Sequence, residues 1–378
     1  MKELSLYIHI PFCISKCYYC DFSSFVNINH KIDDYIDSLI HELSLYKERI
    51  SEYNIKTIFI GGGTPSCINP KYINRILEFI YKNFRTTGLV EVTIEANPGT
   101  LDREKVRIYK KSGINRVSIG VQTLDDKLLE SIGRVHKAKD FYRSYEILRE
   151  ENINNINVDL IFGLPNQTID NVIDSLKKVI ELGVEHISYY GLILEEGTRL
   201  YKSYIEGKIL LPDEDMERLM YHKATEYLIE HGYDHYEISN YALPSYECKH
   251  NLVYWDVKPY LGIGLSSHSN MEGKRFSNTS DINIYIENLK KKILPIEDEE
   301  IIDKNTEIEE FCILGLRKIS GIDKTQFKNR FSIEIEELYK DIINKHIKNG
   351  LILNDDNCIR LTKRGLDLSN LVEIDFLM

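Results

Sequence analysis

The stretch Ile10-Pro11-Phe12-Cys13-Ile14-Ser15-Lys16-Cys17-Tyr18-Tyr19-Cys20-Asp21-Phe22 sets three cysteines on one short loop, three residues and then two apart. Three thiolates so placed can hold three irons of a [4Fe–4S] cube; with no fourth cysteine close by, the last iron stays open to an exogenous ligand. A zinc ribbon wants two separated cysteine pairs and a thioredoxin-type site an isolated C-x-x-C pair, so neither spacing fits; buried thiols or a structural zinc remain the rival readings. The run follows directly on the β-rich segment Leu4 to Ile10. In parallel α/β barrels, chemistry sits at the carboxyl ends of strands, and a cysteine loop in that position predicts such a barrel.

The pattern continues outward from there. Lys56 to Ile60, Val90 to Glu95, Arg116 to Val121, Asn157 to Phe162 and His186 to Leu192 complete six candidate strands alternating with amphipathic stretches, the signal of βα units. In Ile32 to Glu48, for example, Ile32, Tyr35, Ile36, Leu39, Ile40 and Leu43 recur at helical spacing, which reads as a core stripe. The unusual clusters fall at strand ends: Gly61-Gly62-Gly63-Thr64-Pro65 after the second, Glu95-Ala96-Asn97-Pro98 at the third, Gln122 at the fourth, and Asp159 within the fifth ahead of Gly163-Leu164-Pro165. A helix over Glu214 to Glu230, a Tyr-rich stretch from Tyr233 to Tyr260 and the segment Gly262 to Ser269 then predict an elaboration closing the barrel mouth. Lys290-Lys291-Lys292, Pro295 and an acidic run break the apolar periodicity between Leu294 and Asp303. Beyond them, helical stretches at Glu307 to Arg317, Lys324 to Arg330 and Ile335 to Asn349 precede a hairpin over Leu351 to Leu361, the order of a small winged-helix-like module. The expected fold class is α/β: a partial (β/α)6 barrel over residues 1–232, a barrel-closing elaboration over 233–298 and a mostly helical, winged-helix-like domain over 299–378.

At 378 residues the chain can bury an ample core without disulfide staples. Its other cysteines, Cys67, Cys248, Cys312 and Cys358, are scattered, which suits a reducing cytosol and a cytoplasmic location. The segment Met1 to His9 lacks the basic-then-apolar form of a signal peptide, and no apolar run of membrane-spanning length follows. A net charge of −11 argues against broad binding to phosphate backbones. The tail's Lys324, Lys328, Arg330, Lys340, Lys345, Arg360, Lys363 and Arg364 alternate with acids, so no nucleic-acid partner is expected.

The glycines at 61 to 63 permit close backbone approach to a polar ligand, and neither a following Gly-Lys-Ser/Thr nor a G-x-G-x-x-G supports a nucleotide-phosphate reading. Glu95, Gln122, Arg134 and Asp159 supply acceptors for hydroxyls or an amine and a guanidinium for a carboxylate. The C-x-x-x-C-x-aromatic-C run resembles the radical S-adenosylmethionine (SAM) enzymes. With Tyr7-Ile8-His9-Ile10-Pro11-Phe12-Cys13, Gly61 to Ser66, Ile119-Gly120-Val121-Gln122-Thr123 and Asp159 to Pro165, nearly the whole chain is similar to the coproporphyrinogen III oxidase-like radical-SAM family. That resemblance implies a [4Fe–4S] cluster on Cys13, Cys17 and Cys20. It implies SAM contacts at Tyr7, Tyr19, Gly62, Gly63, Thr64, Glu95, Gln122, Arg134 and Asp159, and the chemistry of one-electron sulfonium cleavage. An aromatic at Tyr19 could equally just cover the cluster.

Two features divide the family. The oxygen-independent oxidases carry a further cysteine two residues after the third and a longer segment before the cluster; here Phe22 stands at that position and twelve residues precede Cys13. Instead His250-Asn251-Leu252-Val253-Tyr254-Trp255 resembles the H-N-x-x-Y-W motif of HemW-type haem chaperones. The resemblance therefore implies a haem chaperone without oxidase activity, which binds haem, with His250 as its ligand and His235 and His268 as alternates. It would deliver haem to acceptor proteins of respiration, some of them at a membrane, and a homodimer is compatible with it. The alternative is SAM-dependent oxidative decarboxylation of coproporphyrinogen III to protoporphyrinogen IX.

Overall fold

The computed structural model describes residues 2–377. Six strand–helix units come first. Strand β1 (Lys2–Ile10) is followed by α1 (Ile32–Tyr46), β2 (Tyr53–Gly62) by α2 (Pro70–Asn83), β3 (Glu91–Ala96) by α3 (Arg103–Lys111) and β4 (Arg116–Gln122) by α4 (Asp126–Ser131) and α5 (Ala138–Glu150). Next, β5 (Ile156–Phe162) leads into α6 (Ile169–Glu181), and β6 (His186–Gly191) into α7 (Arg199–Ile205) and α8 (Glu214–Glu230). Strands β1 to β6 are parallel neighbours in chain order. Their near-continuous apolar runs, such as the fully buried Ile8, Ile58, Ile94, Ile119 and Val158, are what a parallel sheet covered by helices requires. On α1, Tyr35, Ile36, Leu39, Leu43 and Tyr46 are buried at three- and four-residue spacing, the stripe expected from the sequence.

The Tyr-rich region does more than close the mouth. It forms β7 (Asp234–Glu237), β8 (Asn240–Ala242), α9 (Lys249–Trp255), β9 (Tyr260–Ile263), β10 (His268–Met271), β11 (Lys274–Asn278), α10 (Ile282–Lys290) and β12 (Ile296–Ile301). These strands extend both edges of the barrel into a 12-stranded sheet, ordered β12-β11-β10-β9-β1-β2-β3-β4-β5-β6-β8-β7. Strand β9 pairs parallel with β1, whereas β10, β11 and β12 are antiparallel, as are β7 and β8 on the other side. Strand β12 crosses the boundary expected after residue 298. Its exposed acidic residues Glu297 to Glu300 hid its strand character from periodicity, because an edge strand exposed on both faces can carry charge at successive positions.

The remainder comprises α11 (Lys304–Leu316), β13 (Ile322–Asp323), α12 (Lys324–Phe331), α13 (Ile335–Lys348), β14 (Ile352–Asn354), β15 (Cys358–Leu361), α14 (Lys363–Asp367) and α15 (Ser369–Glu373). The expected hairpin is β14–β15, and β13 adds a third strand. This part has its own apolar cluster, with Phe311, Phe327 and Phe331 packed edge to face, which also takes in Val257 from beyond α9. Among the described residues, no helix is long and apolar enough to cross a membrane.

Candidate functional site

The cysteine loop leaves the end of β1 and is tied down along its length. Cys13 N donates to Phe25 O at 2.9 Å, Tyr18 N to Ile132 O at 3.0 Å, and Leu200 N to Tyr18 O at 2.7 Å. Lys16 Nζ reaches Phe22 O at 2.5 Å and Ser24 Oγ at 3.0 Å. Anchors from three parts of the chain fix a loop that has little regular structure, the preorganisation a ligand set needs. Cys13, Cys17 and Cys20 line one cavity of about 370 Å³ together with Tyr19, Gly62, Gly63, Thr64, Glu95, Gln122, Arg134 and Asp159. Nine of the ten residues expected from the sequence at the cluster or SAM, beyond Cys13 and Cys17, are thus Cys20 and these eight; Tyr7 stands in the adjoining cavities instead. The sulfurs share a cavity without converging on one point, and among the described residues no trio of Cys, His, Asp or Glu is gathered to hold a single ion. A cube would take each thiolate on a different iron.

The glycine loop closes against the cysteine loop. Gly63 N donates to Ile10 O at 2.9 Å and Thr64 N to Phe12 O at 2.8 Å. A Cβ at Gly63 would lie 2.7 Å from Phe12 O and 3.0 Å from Cys13 Sγ; one at Gly62, whose φ is +114°, would lie 2.6 Å from the His9 ring. Both positions therefore require glycine. Gly62 N donates to Glu95 Oε2 at 3.1 Å. Burial, and secondarily Asp159, push the Glu95 carboxyl up to about 8. Asp159 accepts from Ser118 Oγ at 3.1 Å and Asn157 Nδ2 at 2.7 Å, and burial raises it as well. Two buried carboxyls lifted by desolvation gain most from a ligand bringing an ammonium or hydroxyl donors.

Strand β4 ends in a register shift, and Gln122 adopts a left-handed φ of +69°, which turns its amide into the site and accepts a bond from Tyr190 OH at 3.1 Å. A non-glycine held there is the kind of local strain found at functional positions. Arg134 donates through Nη1 to Cys17 Sγ at 3.3 Å, and through Nη2 to Asn97 Oδ1 at 2.7 Å and to Gly120 O. Its Nε is buried without a partner, a spare donor fit for a carboxylate. The residues thus fit both a three-thiolate cube and a SAM-like ligand. Asn97, which also donates to Thr64 Oγ1 at 3.0 Å, was missed as a site residue, although its place at the end of β3 was a signal. Glu237, Asn240 and Arg317 also line this cavity; no local motif marks them, because they arrive from the sheet extension and from the α11 end.

The aromatic stretch lies alongside. His250 is 1% exposed. Its Nδ1 lies 2.8 Å from Thr57 Oγ1 and its Nε2 2.9 Å from Tyr254 OH, and burial lowers its pKa to about 3. Both ring nitrogens are engaged, and the hydrogen-bonding tyrosine sits one helical turn away on α9. His235 stacks on Tyr241 at 4.4 Å and lies 3.3 Å from Ile238 O. His268 is exposed, and neither of its ring nitrogens has a partner. Trp255 carries the Arg317 guanidinium over its ring at 4.4 Å.

Comparison with known proteins agrees with this arrangement. Residues 7–179 match the model of the radical SAM superfamily and residues 302–368 that of the HemN C-terminal domain. The chain is 39% identical to Heme chaperone HemW of Lactococcus lactis, over 100% of this chain and 98% of that protein. It is 38% identical to Heme chaperone HemW of Bacillus subtilis, over 97% of each. Among solved structures, the radical SAM enzyme coproporphyrinogen III oxidase (HemN) from Escherichia coli superposes with a TM-score of 0.87 over 100% of this chain and 90% of that one, at 22% identity. That likeness speaks for the fold.

Proposed function

Because the chain belongs to the HemW family of radical SAM proteins, we propose that it is a haem chaperone, which takes up haem and delivers it to haem-accepting proteins. The observation that carries this reading is full-length similarity to haem chaperones in a chain whose position 22, two residues past the third motif cysteine, is phenylalanine. Cys13, Cys17 and Cys20 would hold the [4Fe–4S] cluster, which supplies one-electron chemistry at SAM when both are bound. The chain's own residues bind and orient. Glu95, which also accepts from the Gly62 amide, meets an ammonium, Arg134 meets a carboxylate, and Asp159 with Gln122 takes ribose hydroxyls. Arg134 also touches Cys17, so the cluster loop and the SAM pocket are mechanically joined. The His250–Trp255 stretch would meet haem through Tyr254, while Trp255 lines the cluster cavity; His250 could ligate iron only by leaving Thr57 and Tyr254. Acceptors of the respiratory chain and a homodimeric working form belong to the same proposal.

The test is anaerobic reconstitution followed by haem titration and transfer to an apo-haemoprotein. Saturable uptake with cluster-dependent transfer is expected. Failure to bind haem, or stoichiometric conversion of added coproporphyrinogen III to protoporphyrinogen, would overturn the reading.

A further inference from the structure

Next to the cluster cavity lies a second one of about 470 Å³, with Tyr7, Phe22, Tyr254, Tyr260 and His268 in its wall. The two are contiguous, sharing Phe22, Gly62 and Glu95. Phe22 is 65% exposed and lies in the wall that the two cavities share. Tyr254 and Tyr260 meet edge to face at 4.7 Å and 87°, so they present aromatic surface in two directions. The imidazole of His268 stands at the start of β10, exposed and bonded to nothing. A flat apolar macrocycle with a vacant axial site on its metal needs these three things together: aromatic walls, room, and an imidazole with a free lone pair.

The same geometry reassigns the histidine of the H-N-x-x-Y-W stretch. The hydrogen-bonded chain from Thr57 through His250 to Tyr254 fixes the tyrosine hydroxyl from behind, which holds its ring in the wall of this cavity. His250 is thereby a positioning residue, and the open imidazole is the one on β10.

We propose that haem docks in the cavity between β1, α9 and β10, with His268 as the axial iron ligand and the ring of Tyr254, braced by His250, as part of its floor. This rests on the haem-chaperone reading and specifies its site. The ligand bond is coordination of a neutral imidazole nitrogen to iron, with no redox change.

The test is optical titration of haem into the full-length, cluster-loaded protein and its variants. His268→Ala is expected to raise the dissociation constant at least tenfold and to change the Soret band. His268→Cys is expected to move that band to the position of thiolate ligation, a gain no structural role would produce. His250→Ala is expected to weaken binding while keeping the wild-type band. The site on His268 is overturned if His268→Ala binds haem with the wild-type spectrum and affinity, or if His250→Ala alone abolishes imidazole ligation. If the wild-type protein takes up no haem, the chaperone reading falls and this site with it; if it does and the His268 variants are silent, only the site falls. Thermal melts check that the His268 variants fold, as expected for an exposed, unbonded side chain.

Discussion

At the scale of single residues, the site is fixed by atoms that tolerate no substitute. Gly62 combines a positive φ with a Cβ position 2.6 Å from the His9 ring. Gly62→Ala is therefore expected to cost about 2 to 4 kcal/mol through backbone strain and overpacking, measured by denaturant unfolding, and to lower cluster occupancy in an iron and sulfide assay. Arg134 is a different case, because its guanidinium serves the Cys17 thiolate, Asn97 and the strand end at once while one nitrogen remains unpaired. Arg134→Gln is expected to weaken SAM binding at least tenfold, about 1.4 kcal/mol or more, since a charge-assisted contact is lost. Calorimetric titration with the cluster loaded reads that loss, and unchanged SAM affinity would refute the role given to Arg134.

At the scale of elements, one buried carboxyl joins the barrel to its sheet extension. Glu42 on α1 accepts from Gly264 N at 2.9 Å, from Asn278 Nδ2 at 2.6 Å and from Tyr285 OH at 2.5 Å, so that α1, the loop after β9, the end of β11 and α10 meet on a single side chain. Glu42→Ala would strand these donors and is expected to cost about 3 kcal/mol or more. Burial pushes the Glu42 carboxyl up from 4.5 to about 7. A raised carboxyl binds its proton more tightly folded than unfolded, so its contribution to stability is complete below about 4.5 and is lost as pH rises through about 7. The loss is on the order of 3 kcal/mol. Urea midpoints should thus fall between about pH 5 and about pH 8 in the wild type by more than in Glu42→Gln; parallel profiles would refute the assignment.

Two apolar cores set the behaviour of the whole molecule. The larger fills the barrel and its sheet extension, and the smaller is built on Phe311, Phe327, Phe331 and Tyr339. They are sewn together by an isolated bridge between Glu237 and Lys318, by the Lys318–Asp256 pair at 2.5 Å and by Arg330 donating to Val257 O at 2.9 Å. Phe327 is fully buried, so Phe327→Ala is expected to cost about 3 to 5 kcal/mol. Calorimetry should show an early transition for the smaller core ahead of the barrel; a single transition shifted as one would mean that the seam makes the two cooperative. The seam also delivers Arg317 and Glu237 to the cluster cavity, so the smaller core contributes to the site it borders.

The amino-acid sequence by itself determined the six βα units, the cysteine loop at the end of β1 and the strand-end clusters, because apolar periodicity and ligand spacing are local and survive in one dimension. It also marked Glu95, Gln122 and Asp159, polar groups at positions where parallel strands deliver them to one face, and Arg134, which enters from the loop after α4. Tertiary structure alone decided the rest. Strand β12 is an acidic edge with no apolar alternation to betray it, and Glu237, Asn240 and Arg317 reach the cavity by long-range packing. The histidine of the H-N-x-x-Y-W stretch is the sharpest case: its residue type is local information, but its ring partners include Thr57, far away in sequence, and only the folded chain brings the two within hydrogen-bonding reach.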